Sequence, residues 1–202
     1  MVDRLRTEYG ARIELAWKAF ELRPEPVPLP RADDPGRRRR WAASVLPMAA
    51  DRGLIMNQPP TIPRTRLAFQ AVELARDRDR FDAMHHAIFE AFFRDGRDIG
   101  RIDVLADIAA AVDLPPDAVK SALESGAHLD RVIEQERLTR DLGVTGVPAM
   151  FVGDDPATAE PVIGAVPYEW LQAAVERALS GESLDWRKRA LRSAIPLKEH
   201  DE

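Results

Sequence analysis

The period of the apolar positions changes several times along the chain, and each change marks an element. Val2–Tyr9 reads as the last turns of an amphipathic helix, stopped by Gly10. From Ile13 to Phe20 bulky residues alternate with polar ones, the period-two pattern of a strand. Pro24, Pro26, Pro28 and Pro30 then hold the chain extended, because proline fixes φ and removes a backbone donor. A short helix is expected from Arg39 to Ala50, and a second proline-rich link from Asn57 to Pro63.

From Thr65 to Leu142 the pattern is helical. Phe81, Met84, His85, Ile88, Phe89 and Phe92 form one apolar stripe. Val104, Leu105, Ile108, Ala109 and Val112 form another, and Pro115-Pro116-Asp117 opens a third helix that Ser125-Gly126 ends. A fourth, from about Asp130, stops at Gly143. The period then returns to two: Ala149–Val152 and Pro161 to Ala165 predict an antiparallel hairpin. Pro167 starts a last helix with Tyr168, Leu171, Val175, Ala178 and Leu179 on one face.

Composition adds exclusions. The chain is 45% hydrophobic and 31% charged, so it can bury an ordinary core. A net charge of −5 offers no broad basic face for nucleic acid, and no apolar run is long enough for a membrane span. Without a leader-like N-terminus, the expected location is cytoplasmic. Arg37 to Arg40 read as a solvated helix start, with a phosphate or partner site as the alternative. There is no cysteine, which excludes disulfides, thiolate metal sites and thiol nucleophiles in this polypeptide.

Other candidate chemistry is thin. His85 lies on the apolar stripe and is expected to be a core histidine; His86 is a surface residue near Glu90, and two groups do not close a metal site. Asp154-Asp155 fits turn chemistry better than calcium ligation. Trp17 and Trp170 are expected in the core; Trp41 and Trp186 could cap an exposed groove, with core or dimer contact the favoured reading. No metal and no cofactor is expected.

Several stretches together carry a family resemblance. They are Trp17-Lys18-Ala19-Phe20-Glu21-Leu22-Arg23-Pro24, Phe89-Glu90-Ala91-Phe92-Phe93 with Gly96-Arg97-Asp98-Ile99, Leu142-Gly143-Val144-Thr145-Gly146-Val147-Pro148, and Gly164-Ala165-Val166-Pro167. In this order the chain resembles the DsbA-like thioredoxin superfamily, in particular its cytoplasmic FrnE-like branch, related to the 2-hydroxychromene-2-carboxylate isomerases. The resemblance implies an α/β fold: a thioredoxin-like part at 1–30 and 144–181, a helical insert at 31–143 and a charged tail at 182–202. It also implies a site. Pro148 would be the cis-proline, Val147 would offer backbone bonds to an extended peptide or protein substrate, and Thr145 would lie on the rim.

The likeness begins beyond the family's first strand, its Cys-x-x-Cys and most of the active-site helix. The expected function is therefore a disulfide oxidoreductase by descent that lacks redox cysteines here and is inactive in thiol exchange. The chain is expected to be a shortened form of a longer protein rather than a natural cysteine-free relative. The alternatives are a non-catalytic peptide- or protein-binding module, or a relative of the glutathione-dependent isomerases. Strands left beside an unfilled lane would favour a homodimer or filling by another segment.

Overall fold

A computed structural model describes residues 1–181. It divides into two compact units, one formed by Met1–Trp17 with 140–181 and the other by Lys18–Thr139. Trp186 and the charged tail lie outside the described residues.

In the first unit, α1 (Val2–Tyr9) places Leu5 and Tyr9 one turn apart, and both are buried. Gly10 ends the helix with φ 54°, a conformation natural to glycine, and a single 3-10 turn follows. The hairpin is as expected: β1 (Ala149–Val152) pairs antiparallel with β2 (Glu160–Ile163). The connecting turn is built by Asp155, whose carboxylate accepts from Ala157 N at 2.9 Å and whose carbonyl accepts from Ala159 N at 2.8 Å. The last helix, α9 (Tyr168–Ser180), lays Tyr168, Leu171 and Val175 on Leu5, Tyr9 and Val162 to make this unit's core. Trp170 is not part of it. It is 65% exposed, because the buried face runs through Tyr168, Leu171, Ala174 and Val175 and leaves its position outside.

The expected strand at Ile13 to Phe20 is not a strand in the structure. Ile13 is extended, and burial alternates along the stretch as the sequence pattern requires, but no ladder is formed among the described residues. The alternation of side chains is present, but a strand also needs a hydrogen-bonded neighbour.

The second unit holds α2 (Pro35–Arg40), a π-helical turn (Trp41–Val45), α3 (Leu46–Ala50), α4 (Arg66–Arg76), α5 (Phe81–Phe89), a second π-helical turn (Glu90–Arg94), α6 (Ile102–Ala110), α7 (Pro116–Ser125) and α8 (Leu129–Asp141). Asp34 caps α2, its carboxylate accepting from Gly36 N at 3.1 Å and Arg37 N at 2.8 Å. The run Arg76-Asp77-Arg78-Asp79-Arg80 has no apolar residue to bury, and Asp79 takes φ 55°, so the helix opening near Thr65 breaks there into α4 and α5. Met84, Leu105 and Val119 are wholly enclosed in the core these helices share.

The stripe on α5 is narrower than its sequence suggests. Met84 and Ile88 face the core, whereas Phe89 is 51% exposed and His85 is half-buried between rings instead of in the core. The Gly96-Arg97-Asp98-Ile99 stretch is a structural turn. Gly96 has φ 68°, a Cβ there would lie 3.0 Å from Pro60, Asp98 caps Gly100 N at 3.0 Å, and Ile99 enters the core.

Candidate functional site

The loop that joins α8 to β1 brings Thr145, Val147 and Pro148 together at the head of the hairpin. The Val147–Pro148 peptide bond is cis. All three side chains are exposed, Val147 by 54%. Thr145, Gly146 and Val147 make no hydrogen bond among the described residues, while Pro148 O accepts from Gly164 N at 2.8 Å.

That last bond fixes the direction of every group in β1. Pro148 lies opposite Gly164 by the hairpin register, so the hydrogen-bonded pairs continue as Met150 with Val162 and Val152 with Glu160. Ala149 and Phe151 fall at the alternate, non-bonded positions. Their N–H and C=O groups therefore point away from β2, and they find no partner among the described residues. Pro161 agrees with this register: it faces Phe151, the one kind of position where its missing N–H costs the hairpin nothing. The result is an exposed loop leading into a strand with one open edge.

Titration chemistry lies elsewhere in this unit. Tyr168 Oη donates to Glu8, and Arg4 donates to the same carboxylate at 2.8 Å while its guanidinium lies 3.8 Å from the Tyr168 ring centre. Tyr168 and then Arg4 hold the Glu8 carboxyl below its ordinary range. Burial and then the Glu8 carboxylate push the Tyr168 hydroxyl up to about 12. Tyr9 is also pushed up, first by burial. The chain has two tyrosines and both are raised, so a titration of the folded protein followed at the tyrosinate absorbance should show its midpoints above the ordinary value of 10.0. The raised Tyr168 value means stability present below pH 10 and lost as pH rises towards about 12. A full transition near 10 in folded protein would refute this. A shallow cleft of about 430 Å³ opens beside these groups, but Tyr9 Oη already donates to Glu176 at 3.1 Å and Glu8 is engaged, so it presents no free reactive pair.

The second unit buries acids that the sequence reading missed. Glu73 accepts from Arg76 at 3.2 Å and Arg131 at 3.4 Å, and Arg131 also reaches Asp77 at 2.7 Å. Glu21 is buried against Arg66. Spacing within α4 could have suggested Glu73 with Arg76; the partner on α8 is a tertiary contact no local pattern encodes. His86 Nδ1 lies 2.7 Å from Asp82 O, Glu90 pairs with Arg94 at 2.9 Å, and no metal-holding cluster occurs among the described residues.

A model of the DSBA-like thioredoxin domain matches residues 1–176. The chain belongs to that family. An uncharacterized protein of Bacillus subtilis (strain 168), YwbO, is 34% identical over 151 residues, which span 72% of this chain and 74% of that protein. Among solved structures, a probable DsbA oxidoreductase from Streptomyces coelicolor is similar with TM-score 0.69 and 24% identity, covering 98% of this chain and 85% of that one. A 2-hydroxychromene-2-carboxylate isomerase is similar with TM-score 0.69 and 19% identity, covering 96% and 90%. These structural likenesses establish a thioredoxin-like fold with an inserted helical part. The family's fold is present in a polypeptide without cysteine, and no helix among the described residues is long and apolar enough to cross a membrane.

Proposed function

We propose that this chain is a disulfide oxidoreductase by descent, of the FrnE-like cytoplasmic branch, and that without redox cysteines it acts by holding an extended peptide or unfolded protein segment. Thr145, Val147 and Pro148 would border the bound segment, and the open edge of β1 would pair with it. The observation that carries this reading is the outward direction of the Ala149 and Phe151 backbone groups beside an exposed Val147. Added-strand recognition uses such groups: main-chain bonds supply affinity, and alternate side chains supply selectivity. Thiol exchange needs a thiolate attacker, so this polypeptide alone should leave insulin disulfides intact. Nothing in the site favours the isomerase alternative, whose support is a likeness of fold.

Amide hydrogen exchange tests the reading directly. In the free protein Met150 and Val152 should be protected, and Ala149 and Phe151 should exchange fast. Saturating reduced insulin B chain, used as an extended probe, should slow Ala149 and Phe151 selectively. Val147→Asp should weaken that protection about tenfold or more, since it places a charge against the bound segment. Protection that stays unchanged at Ala149 and Phe151, or insulin reduction by this chain, would overturn the proposal.

A further inference from the structure

The open edge of β1 is short, and both of its ends are fixed. Pro148 has no N–H to offer. Beyond Val152 the chain turns at Gly153, φ 149°, where a Cβ would lie 3.2 Å from Ala159 Cα. Within the strand, Ala149 and Phe151 are left to present both N–H and C=O outward. A partner strand bonded to both, with a flank on each side, is about five residues long.

The two faces of that window differ. Side chains alternate along a strand, and residues level with each other in paired strands share a face. Met150 and Val152 pack against the core that Leu5, Tyr9, Val162, Tyr168 and Leu171 form in the first unit. A ligand side chain level with Met150 would extend that core sideways. Ala149 and Phe151 point to the other face, where Ile163 and Pro161 stand opposite them. Ile163 is 59% exposed, so this face is open to water.

Charge is missing from the approach to the edge. No charged residue occurs from Leu142 to Gly153, in a chain of which 31% is charged. Glu160, the one charged residue of the hairpin strands, lies opposite Val152 and is already held by Arg177 at 2.7 and 3.0 Å. A charge that leaves water without gaining a partner is strongly penalised. A ligand charge beside Met150 would meet that condition, whereas one beside Ala149 or Phe151 would stay hydrated.

We infer that the β1 edge selects segments of about five extended residues with apolar side chains at alternate positions, those level with Met150 and Val152. The residues between them can be polar or charged. This rests on the peptide-holding reading above and narrows its ligand from unfolded chain in general to segments with two-residue alternation. Register does the sorting. A slip of one residue turns every ligand side chain to the opposite face, so a segment with one apolar face fits in one of the two settings.

The test titrates the full chain with peptides of about seven residues and follows the amide signals of Ala149 and Phe151. Val alternating with Thr and Val alternating with Lys should bind within about threefold of each other. Thr alternating with Lys keeps the charge of the second peptide and the β-branched shape of Val, and should bind about tenfold more weakly or worse. Added salt should leave the Val–Thr peptide unchanged, and cutting it to about three residues should cost about tenfold or more. Equal binding of all three peptides, or loss of binding by the Val–Lys peptide, would overturn this inference alone if reduced insulin B chain still slows exchange at both amides. Failure of the B chain to do so would remove the peptide-holding reading and this inference with it. Protection that rises with protein concentration alone would place a second copy on the edge and overturn it as well.

Discussion

Leu105→Ala is expected to cost the helical unit about 3–5 kcal/mol, the largest single-residue effect on stability foreseen for this chain. The side chain has 0% exposure and lies among Met84, Ile108 and Val119, on helices fixed by their own packing. Such a site relaxes little after truncation, so the loss of transfer energy is joined by the loss of contacts around the void. The thermal midpoint should fall by roughly 6–15 °C. Phe89→Ala removes a larger side chain from the same group of sequence stripes, yet should cost only about 1 kcal/mol, since that ring already faces water. Denaturant unfolding of the two variants side by side checks both numbers. Equal losses would mean that the described burial of these two positions is wrong.

Glu73→Ala is the second. Burial raises the Glu73 carboxyl, but bonds from Gln135, Arg76 and Arg131 outweigh it and hold the group below its ordinary range. Removing the acid leaves Arg76 without this partner, while Arg131 keeps Asp77 at 2.7 Å. Losing one partner of a fully buried pair costs about 3–5 kcal/mol; with both arginines partly hydrated, about 2–3 kcal/mol is expected here. The depressed value sets the sign of the pH dependence. Stability from Glu73 is fully present above its unfolded value of 4.5 and is lost as pH falls through the lower folded value. Urea midpoints of wild type and Glu73→Ala should therefore differ most near neutrality and converge in acid. A constant difference down to pH 3 would show that the carboxylate's charge is not what matters.

These two residues also show what a sequence can and cannot announce. Leu105 was legible because α6 repeats its apolar residues at helical spacing. The hairpin and α9 were legible because proline and glycine punctuate them. Burial of Glu73 was not, because its second cation lies on α8, 58 residues away. Trp170 and Phe89 were misplaced for one reason: hydrophobic character says that a side chain gains from burial, but the width of the face a neighbour covers decides whether it is buried. Ile13 to Phe20 failed in a different way. Its alternation is right, but no ladder pairs with it among the described residues. At the candidate site, Thr145, Val147 and Pro148 came from resemblance; the direction of the Ala149 and Phe151 groups required the hairpin register, which no single strand contains.

The position of Pro161 has a consequence for the solution behaviour of the protein. Growth of strands into a fibril requires each added copy to offer a second competent face to the next. Here one face of the hairpin carries free donors at Ala149 and Phe151, while at the matching place on the opposite face Pro161 supplies no donor. Only Ile163 keeps an outward N–H on that side, so strand addition should favour β1 over β2. Growth of a polymer through this sheet would have to pass through the weaker of its two edges.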